Sequence, residues 1–67
     1  MTEPNDYPED DPRHHTTRLR GLLDQLADHA LADVDKVSDP GAQALFETTA
    51  EVCRGLAAAM RRHEQRT

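Results

Sequence analysis

Residues 38–41 read Ser-Asp-Pro-Gly, and they interrupt an otherwise helical pattern near the middle of a 67-residue chain. Pro40 disfavours helical backbone at Asp39, so a helix must end before this point. The same pair also favours a new helix, because aspartate is a good N-cap and proline suits the first helical position. The interruption therefore predicts three segments: a helix over residues 12–37, a turn at residues 38–39 and a helix over residues 40–65.

The first half of the chain carries apolar residues on one helical face. Asp11-Pro12 offers the same N-cap and first-position pair as Asp39-Pro40. Steps of three and four then separate most of the apolar residues that follow, and the alternation expected of a strand is absent. These residues are Leu19, Leu22, Leu23, Leu26, Ala30, Val34 and Val37. The pattern predicts an amphipathic helix.

The second half shows three parallel heptad series. Leu45, Val52 and Ala59 are seven residues apart, and so are Phe46, Cys53 and Met60; a third series is Ala42, Thr49, Leu56 and His63. These correspond to coiled-coil positions on one side of a helix. Since the connection is short, the two helices should lie antiparallel. We expect an all-α fold, an antiparallel two-helix hairpin.

The first eleven residues differ in composition from the rest. They contain five acids and no basic residue, and the chain's net charge of −5 is carried by its first twelve residues. Such a segment cannot bury enough apolar surface to offset its ordering entropy. Residues 1–11 are therefore predicted to be a disordered acidic tail. Tyr7 is read either as a solvated residue of this tail or as an anchor that holds it to the body.

The hairpin is too small to bury its whole apolar strip. A single domain of this size makes a marginal core, and Cys53, as the only cysteine, cannot form an internal disulfide. We therefore expect a homodimer that forms a four-helix bundle; the alternative is docking on a larger, different protein. The expected partner or dimer interface consists of Leu19, Leu22, Leu23, Leu26, Leu45, Phe46, Val52, Leu56 and Met60.

The expected dimer or partner interface favours a function in protein–protein interaction. A small non-catalytic protein–protein interaction module, or an accessory or regulatory subunit, would act through such an amphipathic hairpin. There is no glycine-rich phosphate loop, nucleophile elbow or meaningful Ser-His-Asp spacing, so we expect no enzyme, no small-molecule substrate and no cofactor.

An alternative function lies at the open end of the predicted hairpin, where arginines gather. These could bind phosphates or other anions. The candidates are Arg13, Arg18, Arg20, Arg61 and Arg62. No recognition-helix pattern or aromatic interleaving accompanies them, so nucleic-acid binding is not favoured. The acidic tail enters the same end, and we hypothesise that it partly neutralises it.

A second alternative is a metal-binding helical bundle. His14, His15 and His63 fall at the same end of the hairpin. However, the chain has no zinc-ligand spacing, and neither His29 nor His63 follows the Glu-x-x-His pattern of bundle iron sites. We therefore expect no metal site.

Sequence features also bear on location. No charged-then-apolar leader and no run of about 18 apolar residues is present, so neither cleaved secretion nor a membrane span is expected. The single cysteine, Cys53, suggests a reducing compartment. A cytoplasmic location is therefore predicted.

Overall fold

The computed structural model describes residues 7–66 and shows an antiparallel helical hairpin. Helix α1 spans Pro12–Val34 and helix α2 spans Pro40–Gln65. The two helices pack against each other along their length. The prediction of an all-α hairpin is thereby confirmed.

Both helices begin with the same Asp-Pro device. The Asp11 side chain accepts a hydrogen bond from the Arg13 backbone N–H at 2.9 Å, and the Asp39 side chain accepts one from the Gly41 N–H at 3.2 Å. Each aspartate has extended backbone, and a proline follows at the first helical position. Each cap satisfies a backbone donor that has no partner within its helix.

Helix α1 ends three residues earlier than the apolar spacing predicts, at Val34 instead of residue 37. The connection therefore spans residues 35–39. The Gln43 side-chain amide donates to the carbonyl oxygens of Val34, at 3.3 Å, and Val37, at 2.9 Å. This tertiary contact from the next helix satisfies a terminal carbonyl of α1 and holds the connection against α2.

Residues 7–11 depart from the expected disordered tail, whereas residues 1–6 lie outside the described chain. The Asp11 backbone N–H donates to the Pro8 carbonyl at 2.9 Å, which closes a turn. The Arg13 guanidinium lies over the Tyr7 ring, 4.2 Å from its centroid. Cation–π contact of this kind favours the anchor reading of Tyr7.

The core between the helices is built from small side chains. The buried residues are Ala27, Ala30, Ala50, Cys53 and Ala57. Leu23 and Phe46 pack against them but remain partly exposed. Alanine permits close approach of two helices but removes little apolar surface from water. In the described chain, no large side chain is fully buried, so the core of the hairpin is small.

Candidate interaction surface

Large aliphatic side chains lie outside the helix–helix contact. Six of them are about half exposed, from 46% for Leu19 to 62% for Leu45. We call this set the apolar face: Leu19, Leu22, Leu26, Leu45, Val52 and Leu56. In a monomer these side chains contact water. Exposure of large apolar side chains to water is unfavourable.

The six residues share one geometric relation to the hairpin: each immediately precedes a residue that faces the other helix. Thus Leu26 precedes buried Ala27, and Leu56 precedes buried Ala57. One residue along a helix is a rotation of about 100°. Because the helices are antiparallel, the same rotation from the contact line carries both sets to the same side of the hairpin. The six side chains of the apolar face therefore lie on the same side of the hairpin.

The opposite side of the hairpin is polar. Residues that follow an inward-facing residue rotate the other way and form what we call the ion-pair face. Here Arg54 Nη2 lies 3.2 Å from Asp28 Oδ1, and Arg61 Nη2 lies 3.8 Å from Asp24 Oδ2. Leu31, which follows buried Ala30, is an exposed leucine on this side, 37% accessible. The two faces of the hairpin thus differ sharply in chemistry.

The structure divides the nine residues expected at an interface into two groups. The six residues of the apolar face are exposed, whereas Leu23, Phe46 and Met60 are half-buried. Leu23 and Phe46 pack against the core between α1 and α2. The heptad series that begins at Phe46 therefore faces α1, and the series that begins at Leu45 faces outward.

The candidate anion-binding arginines are largely engaged within the chain. Arg20 Nε lies 3.0 Å from Glu64 Oε1, and Arg61 pairs with Asp24. Glu64 was not singled out in the sequence, because its partner is 44 residues away and no local pattern signals the pairing. Arg18 and Arg62 are exposed, and no ion pair is recorded for either within residues 7–66.

The remaining candidate, Arg13, forms a close ion pair with the N-cap of α1. Its Nη2 lies 2.6 Å from Asp11 Oδ2, and its Nε donates to the same carboxylate. The side-chain hydrogen bonds from Arg13, together with its backbone N–H, lower the pKa of Asp11 from 3.8 to about 2. The same side-chain hydrogen bonds raise the pKa of Arg13 above its ordinary value. This arginine acts locally on the start of the helix.

The histidines at the open end contact backbone carbonyls. His14 Nδ1 donates to the Tyr7 carbonyl at 3.0 Å, and His15 Nε2 donates to the Glu9 carbonyl at 2.7 Å. A carbonyl oxygen can only accept, so each of these ring nitrogens carries a proton. His63 is exposed near the end of α2. Over residues 7–66, no group of three or more His, Cys, Asp or Glu side chains is arranged to hold a metal ion.

The depressions found on the described surface are shallow and open. One lies beside the ion-pair face and is lined by Leu31, Ala44, Glu47, Thr48, Ala50, Glu51 and Arg54. Glu47 and Glu51 are thus on the side away from the apolar face. Cys53 is buried between the helices.

Comparison with protein-family models, with curated proteins and with solved structures found no significant match. Within the described part of the chain, neither helix combines the length and the apolar character needed to cross a bilayer.

Proposed function

We propose that this protein is a non-catalytic protein–protein interaction module that assembles with a second copy of itself. In this proposal, the apolar faces of two hairpins pack together to form a four-helix bundle. An accessory or regulatory role would follow from assembly and not from chemistry at a pocket. The reducing cytoplasm remains the location that we propose, on the basis of the single cysteine, Cys53.

The main support for the proposal is that small side chains fill the contact between the two helices, while most of the large aliphatic side chains lie outside it. The buried positions between α1 and α2 are alanines and one cysteine, with Leu23 and Phe46 packed beside them, whereas five leucines and a valine lie outside the contact on the apolar face. Fully burying a leucine stabilises a protein by about 1.5–3 kcal/mol. A second layer of helices on the apolar face would add the larger share of apolar burial, which the alanine-rich contact lacks.

The dimensions of the apolar face fit a stable dimer. Helices of 23 and 26 residues are about 35–39 Å long at 1.5 Å per residue, and two side by side are roughly 20 Å wide. The face therefore offers roughly 700 Å² per protomer, about 1,400 Å² in a dimer, which lies within the range of specific interfaces.

Spacing favours a second copy as the occupant over an unrelated protein. On α1 the exposed leucines are separated by three and four residues, and on α2 the face residues Leu45, Val52 and Leu56 are separated by seven and four. These are the steps of a coiled-coil seam, which packs against a like seam. A two-fold dimer uses the same patch on both subunits, so one such face is sufficient.

The test compares a double leucine variant on the apolar face with a single leucine variant on the ion-pair face by sedimentation equilibrium. Leu26→Gln with Leu56→Gln is expected to weaken the dimer by about 1.5 kcal/mol for each leucine lost from each subunit, at least a thousandfold in Kd. Leu31→Gln, on the ion-pair face, is the matched control and should leave the dimer intact.

Two outcomes would contradict the proposal. One is a wild-type chain that is monomeric at all concentrations; the other is a Leu31→Gln variant that dissociates as readily as the apolar-face variant. A monomer that associates only with a different protein through the same leucines would replace the second copy with that partner.

A further inference from the structure

We infer that the two hairpins of the dimer lie with their connecting loops at opposite ends of the bundle. The inference rests on the proposed self-association and specifies its geometry. A two-fold dimer of flat hairpins can place the loops at the same end or at opposite ends, and both arrangements bury the apolar faces. Charge along the long axis distinguishes between them.

The closed end of the hairpin, around residues 33–51, is acidic. Asp35 and Asp39 are exposed in the connection, and Glu47 and Glu51 are exposed beside it, on the ion-pair face. Asp33 is the exception, since Lys36 Nζ lies 3.3 Å from its carboxylate. The closed end therefore carries a clear excess of negative charge.

Over residues 7–66, the open end carries only a small excess of positive charge, and Glu3 and Asp6 offset it in the sequence. Several of its arginines are neutralised by partners within the chain, such as Arg20 by Glu64. Arg18, Arg62 and Arg66 are exposed at this end, where they outnumber the two exposed acids of the preceding turn, Glu9 and Asp10. Among residues 7–66, no ion pair is recorded for these three arginines.

Loops at the same end would bring two acidic ends together. Charges of like sign repel within a Debye length, which is about 8 Å at physiological ionic strength, and facing helices lie about 8–10 Å apart. Loops at opposite ends instead separate the two acidic connections, which carry Asp35 and Asp39, by about one helix length. Like charges placed side by side across an interface are unfavourable, and this repulsion selects between two arrangements of similar apolar burial.

The test measures distances between spin labels in the full chain by pulsed electron paramagnetic resonance. Cys53→Ala removes the native thiol at a buried position whose core neighbours are mostly alanines. In this background, Ser38→Cys places a label on the connecting loop, and Gln25→Cys places one on the exposed outer side of α1, near its middle. Ser38 and Gln25 are both exposed and lie outside the apolar face.

The distances between labels at positions 25 and 38 distinguish the two loop arrangements from each other and from a monomer. Labels at position 25 should be within roughly 30 Å in either arrangement, because adjacent helices lie about 8–10 Å apart. Labels at position 38 should be separated by about one helix length, ~35 Å or more. A distance of roughly 10–20 Å at position 38, as expected for adjacent helix ends, would overturn the orientation while leaving the dimer intact. Absence of dipolar coupling at both positions, with a monomeric mass, would overturn the proposed function and this inference with it.

Discussion

Arg20 donates its Nε–H to both carboxylate oxygens of Glu64, at 3.0 and 3.1 Å, and so joins the first half of α1 to the last turn of α2. Both side chains are largely shielded, with 29% and 12% of their surfaces accessible. The contact fixes the register of the two helices at the end where no loop connects them. A shielded pair of this geometry should contribute more to stability than an exposed one.

A double-mutant cycle can measure this difference. We expect Arg20→Ala and Glu64→Ala to show a coupling energy of about 1 kcal/mol in thermal or urea unfolding. Arg54 and Asp28 form the comparison pair, with 55% and 77% of their side-chain surfaces exposed. Their coupling should be only about 0.3 kcal/mol. Equal coupling energies for the two pairs would show that shielding at the open end has no energetic consequence.

Side chains larger than alanine should not be tolerated at the buried positions between the helices. Ala57 is 1% exposed, so Ala57→Leu would force the helices apart and is expected to lower the free energy of unfolding by about 1–3 kcal/mol. Ala44→Leu adds the same atoms at an exposed position of the same helix and should change stability by less than about 0.5 kcal/mol. Urea unfolding at a fixed protein concentration compares them. Tolerance of leucine at position 57 would mean that the helices are not in close contact there.

The contribution of the N-cap residue Asp39 to stability can be measured with Asp35, a nearby acid of the same charge, as the control. Asp39→Ala removes the acceptor for the Gly41 N–H and should cost about 1 kcal/mol. Asp35→Ala also removes one negative charge from the closed end, but Asp35 lies at the C-terminus of α1, where a negative charge is unfavourable. This control should be neutral or stabilising by a few tenths of a kcal/mol. Equal losses for the two variants in circular-dichroism melts would argue against the cap.

Asp11 makes stability depend on pH at the acid end of the range. Its pKa falls from 3.8 to about 2 on folding, so the unfolded chain binds the proton first as the pH decreases. The stabilisation is therefore fully present above about pH 4, decreases between about pH 4 and 2, and is lost below that. Carboxyl titration by nuclear magnetic resonance should give the low pKa directly.

The matched variant for this prediction is Asp11→Asn, which keeps an N-cap oxygen but cannot pair as an anion with Arg13. The stability difference between the wild type and this variant should narrow as the pH falls from 4 to 2. A constant difference, or a titration midpoint for Asp11 near 3.8, would contradict the proposed role of the ion pair.

Much of the fold follows from local signals in the sequence. The two Asp-Pro pairs predict both helix starts, because caps depend on residues next to one another. The end of α1 could not be predicted in the same way, since Val37 continues the apolar spacing. What holds the chain beyond Val34 is the side chain of Gln43, a contact that exists only after the hairpin has formed.

The sequence pattern also did not predict which apolar residues pack between the helices and which lie on the outer surface. Periodicity alone places both Leu45 and Phe46 on the apolar side of the second helix, and it does not say which of them faces the first helix. The decisive signal is the small residues: Ala50 and Ala57 mark the side of closest approach, and Phe46 lies on that side. Leucines one position before such a residue are left on the outside. Reading alanine spacing together with leucine spacing would have identified the apolar face.

In the proposed assembly, a second copy of the chain covers the apolar face. The most direct measurement is the sedimentation-equilibrium mass of the wild-type chain across a dilution series. We predict a species of twice the 7.5 kDa chain mass that dissociates on dilution, with loss of cooperative unfolding as the monomer appears. A 7.5 kDa species at every concentration, with a sharp melting transition that does not depend on dilution, would contradict the claim.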